Sequence, residues 1–267
     1  MNPLEDKDFI EFLKSYDEGF YIDKDGIKHC FHDYLTELSK SDTPPYDSII
    51  IEDKNKMYGL DWMAKDSKKW KDTSSKCKRV PKLCRDKLPK TTDALFCRKG
   101  PKGNLVLHVI EFKFVSDESN QSKLNSLQTD IYEKNNKNTR NQEKKCFNKK
   151  FVENFESIKE DYIDSVENSL QLKPYEAVFI VLPELYDEYC EKNDKPKKDF
   201  KSYIYNMEKY FWVCIDSGIK NEEHLKSQAK HFEKYYKRME PVIFNEAFAK
   251  TKKQFNKCLE NIILANL

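Results

Sequence analysis

Glu111 and Lys113 stand two residues apart at the end of a ten-residue, almost wholly apolar run, Leu-Val-Leu-His-Val-Ile-Glu-Phe-Lys-Phe at 105–114. Side chains alternate along a strand with period two. The acid and the base therefore share a face with Leu105, Leu107 and Val109, while Val106, His108, Ile110, Phe112 and Phe114 point the other way. Both faces are mainly apolar, as in a strand covered on each side. A charge set at the edge of such a core costs roughly several kcal/mol unless a partner or a metal compensates it.

A second carboxylate can be placed beside them. Residues 91–97 (Thr-Thr-Asp-Ala-Leu-Phe-Cys) read as a short strand, and Gly100-Pro101-Lys102-Gly103-Asn104 reads as a turn. If that turn closes an antiparallel hairpin, its centre is Lys102, and reflection about the centre sets Asp93 opposite Glu111; a one-residue change in loop length would break the pairing. Two carboxylates with a lysine alongside suit Mg²⁺, which takes hard oxygen ligands and keeps several waters. Such a metal lowers the pKa of a water and polarises a phosphoryl oxygen, and Lys113 can orient that water or stabilise charge at phosphorus.

Asp93, a hairpin, then Glu111-Phe112-Lys113 resembles the signature of the PD-(D/E)XK nuclease superfamily, found in restriction endonucleases, Holliday-junction resolvases and RecB-type exonucleases. Thr92 stands where the pattern has proline. The resemblance implies that Asp93 and Glu111 ligate Mg²⁺ (Mn²⁺ can substitute), with the Phe112 main-chain carbonyl as a further ligand. It implies that Lys113 assists a water attacking phosphorus in line, so that the 3′ oxygen leaves and 5′-phosphate products remain. Gln128-Thr129-Asp130-Ile131-Tyr132 is similar to the QxxxY element of RecB-type nucleases, and residues four apart share a helix face, so Gln128 and Tyr132 become candidate DNA contacts. The same group carries an upstream helical histidine, for which His29 and His32 are candidates. Glu11 or Glu37 can supply the further acid that many members place on an N-terminal helix. Cys190, Cys214 and Cys258 are too scattered for the iron–sulfur arrangement.

Short E-x-K motifs arise by chance in a lysine- and glutamate-rich chain. Glu5-Asp6-Lys7, Glu52-Asp53-Lys54 and Glu143-Lys144-Lys145 are further examples. Only Glu52-Asp53-Lys54 follows an apolar run, Ile49-Ile50-Ile51, and it lacks an upstream hairpin bearing an acid. That run reads as an earlier strand of the same sheet.

The elements that would position the site read as strand hairpin, helix, strand, helix, strand. Residues 119–170 are polar and helix-prone. Residues 175–182 (Tyr-Glu-Ala-Val-Phe-Ile-Val-Leu) read as a buried strand between Pro174 and Pro183. A helix is expected at 184–191, a break at 193–196, and a strongly apolar strand at 210–215. The expected fold is α/β: a mixed central sheet whose antiparallel hairpin carries the active site, flanked by helices, in a single domain. Residues 45–216 form its core, 1–44 an N-terminal helical part and 217–267 C-terminal helices. Asn2 is expected to cap a first helix with Pro3 at its first position and Phe9, Ile10, Phe12 and Leu13 as its apolar stripe. Two further helices are expected at 221–238 and 242–265, broken at Glu240-Pro241, with Phe244, Phe248, Phe255, Leu259, Ile262 and Ile263 recurring at helical spacing.

Net charge is +2, which hides a local asymmetry. Residues 54–90 contain thirteen basic and four acidic side chains, and 134–150 contain seven basic residues against Glu143 alone. Such segments neutralise phosphates and bind in a salt-sensitive, largely sequence-independent way. Lys68, Lys69, Lys78 and Arg79 are therefore candidate DNA contacts, and Trp62 and Trp70 either stack on bases or anchor the segment. Abundant lysine and asparagine with little arginine throughout the chain is a compositional explanation of the same excess. The eight cysteines are scattered and form no C-x-x-C pair, so neither a disulfide framework nor a zinc site built from Cys77, Cys84 and Cys97 with His29, Cys30 or His32 is expected. No apolar signal segment occupies residues 1–16 and no stretch is long enough to span a membrane, which points to the cytoplasm. Neither a phosphate-cradling glycine loop nor a nucleophile elbow is present.

The expectation is a metal-dependent DNA nuclease acting in restriction, defence or DNA end processing, endo- or exonucleolytic, with oligomeric state open and a homodimer compatible. The alternative is a catalytically inactive nuclease-fold protein that binds nucleic acid or serves as an assembly module, with Asp93, Glu111 and Lys113 forming an ion cluster.

Overall fold

The computed structural model describes residues 2–40, 55–71, 91–114, 172–216, 222–236 and 243–263. Six strands form one mixed sheet in chain order: β3 (His32–Tyr34), β4 (Lys56–Tyr58), β5 (Ala94–Lys99), β6 (Leu105–Phe114), β7 (Glu208–Asp216) and β8 (Glu246–Thr251). From β3 to β6 neighbours run antiparallel, and β6, β7 and β8 are parallel. A separate two-stranded sheet pairs β1 (Phe20–Ile22) with β2 (Lys28–Cys30).

The β5–β6 hairpin has the register expected by reflection about Lys102: Ala94 pairs with Ile110, and Lys99 with Leu105. Its turn is closed by the Gly100 N–H donating to the Asn104 carbonyl at 2.7 Å. Gly103 sits at φ +77°, where a side chain would be strained. At Gly100 a Cβ would approach Val106 Cγ2 at 2.8 Å, so a side chain there would force Val106 to shift.

Period-two alternation divides the core into two layers. Leu105, Leu107 and Val109 of β6, Phe211, Val213 and Ile215 of β7, and Ala247 and Ala249 of β8 form one layer. Over it lie α1 (Asp6–Lys14), α3 (Leu60–Asp66), α5 (Leu182–Lys192), α6 (Phe200–Asn206) and α7 (Glu222–Tyr236), contributing Phe9, Phe12, Met63, Leu185, Ile204 and Ala229. Ile110, Phe112, Trp212 and Cys214 form the other layer with Phe255 and Leu259 of α8 (Lys252–Ile263) and Leu35 and Leu38 of α2 (Leu35–Leu38). A short α4 (Lys68–Lys71) follows α3. Both faces of the sheet are covered, so Glu111 is enclosed although it lies near a strand end.

Three expectations about elements are corrected. Residues 175–182 are helical, not a strand: 172–176 continue through a π-helical segment, Ala177–Val181, into α5. The buried positions Pro174, Ala177, Val178, Val181, Leu182, Leu185, Tyr186, Tyr189 and Cys190 follow a helical stripe, while Tyr175 and Ile180 are exposed. Pro183 has no N–H to give an α-helical ladder, and its ring presses on the turn before it. The π segment immediately before Pro183 widens that turn, and the Leu182 N–H reaches back to the Ala177 carbonyl.

The C-terminal part holds two helices, α7 near the expected 221–238 and α8 within the expected 242–265, but the second starts later because a strand precedes it. Residues 246–251 form β8, with Ala247, Ala249 and Thr251 buried in alternation. Pairing with β7 overrides the helix propensity of the alanines, and their small side chains let α7 pack closely over the strand. The N-terminal part is likewise not wholly helical, since it supplies β1, β2 and the edge strand β3. Its helix starts later than Asn2-Pro3, with Glu5 as N-cap and the Glu5 N–H donating to the Asp8 carboxylate at 2.9 Å. Pro3 instead bridges to Asp199.

Lys209 opens β7 from inside the core, 3% exposed, and donates to the carbonyls of Ile204, Tyr205 and Met207 at 2.8, 2.9 and 2.6 Å. It closes the C-terminal end of α6, which carries free carbonyls. Burial pulls its ammonium down to about 8. Lys209→Met is expected to lower stability by about 3 kcal/mol through the three carbonyls left unpaired. Urea unfolding at pH 7 checks this, and a loss below about 1 kcal/mol would show that water replaces the ammonium.

Candidate active site at the end of the central hairpin

Pairing between β5 and β6 stops at Ala94 and Ile110, whereas β7 follows β6 to Phe114. Asp93 lies just before β5, and its Oδ2 accepts the Phe112 N–H at 2.6 Å. In an extended strand a residue's N–H and C=O face the same neighbour. The Phe112 carbonyl therefore lies on the Asp93 side of β6.

Glu111 is fully buried. Its Oε1 receives two ammonium groups, Lys113 at 2.6 Å and Lys173 at 2.7 Å. Its Oε2 is buried with no hydrogen-bond partner among the described residues. Lys173 belongs to the helical run that starts at 172, so the element read as a strand delivers a second lysine to the site. Beside Asp93, Thr92 is also fully buried and its Oγ1 has no hydrogen-bond partner among the described residues, while the Thr91 hydroxyl donates to Asp61 at 2.6 Å.

Burial and the neighbouring Glu111 charge push the Asp93 carboxyl up to about 7, against the opposing pull of Lys173, Lys113 and the Phe112 N–H. Burial pulls Lys173 down, but Glu111, Asp93 and Asp61 outweigh it and hold the ammonium above its ordinary range. Two carboxylates crowded together with two lysines against them form a site poised to gain positive charge or lose negative charge. On the other face of β6, His108 takes no part: burial and Arg98 push its imidazole down to about 3, and Phe96 and Tyr210 stack on it.

A cavity of about 200 Å³ opens beside Asp93 and is lined by three further acids, Asp33, Glu37 and Asp61, together with His29 and Trp62. Glu37 of α2 is thus the N-terminal acid that reaches the region, paired at 2.5 Å with Lys40. Glu11 faces away, on Lys195. The histidines correct an expectation, because both stand on strands and not on a helix. His29 contacts Asp23 at 3.1 Å and stacks on Trp62 at 3.8 Å, and His32 contacts Asp17 at 3.1 Å and stacks on Tyr58. A larger cavity, about 450 Å³, lies at the far end of β6 around Asp6, Tyr203 and Glu208. Tyr203 is paired there with Asp6 and the Asn104 amide N–H with Glu208, while Asn104 Oδ1 has no hydrogen-bond partner among the described residues.

Among the described residues, no group of three or more His, Cys, Asp or Glu side chains is gathered to hold a metal. The donor set is nonetheless of the kind Mg²⁺ takes, which is one or two carboxylates completed by other oxygens and water. Asp93, the bare Oε2 of Glu111 and the Phe112 carbonyl make up such a set.

Lys68 is exposed, whereas the Lys69 ammonium is paired with Glu184 at 2.5 Å. The main-chain N–H of Lys69 donates to Glu188 at 3.2 Å, so this residue is held by protein. Trp70 is buried in the core, which settles its role as an anchor, and Trp62 packs on His29 beneath the Lys65 ammonium. Gln128, Tyr132, Lys78, Arg79, the Ile49–Ile51 run and the helix expected at 119–170 lie outside the described residues. No helix among the described residues is long and apolar enough to cross a membrane. No protein family, no curated protein and no solved structure matches the chain.

Lys173 and Asp61 were not legible as site residues. Lys173 is one lysine among many before an apolar run, and only the fold brings it to Glu111.

Proposed function

We propose that this protein is a Mg²⁺-dependent nuclease that hydrolyses DNA phosphodiester bonds at Asp93, Glu111 and Lys113. The observation that carries the reading is Glu111: a fully buried carboxylate with one oxygen that has no hydrogen-bond partner among the described residues, next to a second carboxylate pushed up to about 7. A carboxylate kept in that state without function is costly, and a divalent cation would relieve both groups at once. Asp93, Glu111 Oε2 and the Phe112 carbonyl would hold it. Bound there, the cation supplies Lewis-acid polarisation of a phosphoryl oxygen and acidifies a water. The chain's own residues orient the reaction. Lys113, on the face of Glu111 and partly open to solvent, can meet the attacking water or the charge growing on phosphorus. Asp93 and the Phe112 N–H hold the two strands in register beneath it.

A gel assay of the purified protein on linear, circular and single-stranded DNA tests the reading, with Mg²⁺ and with chelator. Metal-dependent cleavage supports it and separates endonuclease from exonuclease action. Absence of cleavage on every substrate would overturn it.

One observation favours a second reading. Lys113 and Lys173 both lie on Glu111 Oε1, and such an ion cluster can also be purely structural, in a protein that binds nucleic acid without cutting it. Melting experiments described in the Discussion divide the two.

For DNA contact, Lys68, Lys78 and Arg79 remain candidates, whereas Lys69 is engaged by Glu184. Replacing those three by alanine is expected to weaken binding and to lower the slope of log K against log salt by about 1–3. An unchanged slope across a salt titration would return the segment to a solvated surface.

A further inference from the structure

We propose that Lys173 is the positioning residue of this site: it is the fixed counter-ion of Glu111, which frees Lys113 to act on the substrate. The inference rests on the nuclease reading and adds to it a residue outside the Asp93–Glu111–Lys113 set. Two ammonium groups share the single oxygen Oε1 at 2.6 and 2.7 Å, while Oε2 has no hydrogen-bond partner among the described residues. One lysine is enough to neutralise one carboxylate. The second ammonium on that oxygen is more than Glu111 alone requires.

The surroundings of the two lysines differ. Lys173 feels the charges of Asp93 and Asp61 as well as that of Glu111, has 23% of its side chain exposed, and belongs to the helical run that packs on the sheet through Ala177, Val178 and Val181. Lys113 stands near the end of β6 with 30% of its side chain exposed, pairs with Glu111 and also acts on Asp93. Lys173, drawn by three carboxylates and carried on a helical run packed on the sheet, is the fixed lysine, and Lys113, the more exposed of the two, is the one free to meet a substrate.

Charge balance gives the pair a purpose. With a divalent cation on the two carboxylates, two lysines bring the site to a net charge of two positive. A phosphodiester attacked by hydroxide carries two negative charges at the pentacovalent stage, so the site matches the transition state more closely than the singly charged ground state. The substrate class this selects is a phosphodiester.

Mn²⁺ binding, followed by the loss of free-ion EPR signal, supplies a readout apart from cleavage. Lys173→Met removes one positive charge near the ion and is expected to tighten Mn²⁺ binding by about tenfold. Its kcat for DNA cleavage should fall to the level of Lys113→Met with KM little changed, because Lys113 is then retained by Glu111. The double variant should be no slower than either single one. Lys173→Arg guards against misfolding of the methionine variant: its charge is kept, and its fork reaches both oxygens of Glu111, so Mn²⁺ binding should weaken. Wild-type Mn²⁺ affinity in both variants, or additive losses of kcat, would overturn the role of Lys173. No Mn²⁺ binding and no cleavage by the wild type would instead overturn the nuclease reading.

Discussion

Alanine at Asp93 or at Lys113, and glutamine at Glu111, are each expected to lower DNA cleavage by about a hundredfold or more. Glutamine is the better probe at Glu111 because alanine would strand the Lys113 and Lys173 ammonium groups, which lie at 2.6 and 2.7 Å from that carboxylate. The three losses should not add, since each change disables one assembly. Single-turnover rates of the three variants and of the Asp93→Ala/Lys113→Ala double variant measure this. Multiplicative losses, or a variant retaining wild-type rate, would remove that residue from the chemistry.

The second large effect is on stability. In the folded chain Asp93 holds its proton up to about pH 7, against an ordinary carboxyl value of 3.8. The folded state therefore binds more protons between these values, so its contribution to stability is full below about pH 4 and is lost as pH rises through 7. Asparagine keeps an oxygen for the Phe112 N–H but cannot ionise. Asp93→Asn should thus be more stable than wild type at pH 8, by about 2–4 kcal/mol, with the gap closing towards pH 4. Excess Mg²⁺ should raise the melting temperature of the wild type more than that of the mutant, as binding to the folded state alone requires. The structural ion cluster predicts the opposite: removing one carboxylate leaves lysine charge uncompensated at a cost of roughly 3–5 kcal/mol, with no Mg²⁺ response in either protein. Thermal melts at pH 4, 6 and 8, in chelator and in Mg²⁺, decide between them.

The hairpin was legible because its signals are local. The Gly-Pro-Lys-Gly-Asn turn fixes a register about Lys102, and alternation in 105–114 assigns each residue a face; Ala94 opposite Ile110 follows from those two facts. The helix expected at 184–191 is present, but its extension back through 177–182 was not legible in an eight-residue window. The run 175–182 is apolar enough for a buried strand, and only when Leu185, Tyr186, Tyr189 and Cys190 are added does the helical stripe emerge. β8 failed in the reverse sense. Phe244, Phe248 and Phe255 fall at spacings that imitate a helix, while the alternation of Ala247, Ala249 and Thr251 is muted by small side chains. Lys173 and Glu37 join the region through tertiary packing that no local pattern encodes.

The Phe112 amide proton has an unusual custodian. It is donated to the side chain of Asp93, with the Phe112 nitrogen 2.6 Å from Oδ2, beyond the point where β5 ceases to pair. A strand neighbour would shield that proton whatever the pH, but a carboxyl group grips it more strongly when ionised than when protonated. The backbone resonance of Phe112 becomes a native spectroscopic gauge of the site. Its chemical shift in an ¹⁵N-labelled sample should titrate near pH 7 with Asp93 and move again when a cation takes the same carboxylate, while the amides of Leu107 and Val109, deep in the sheet, stay still.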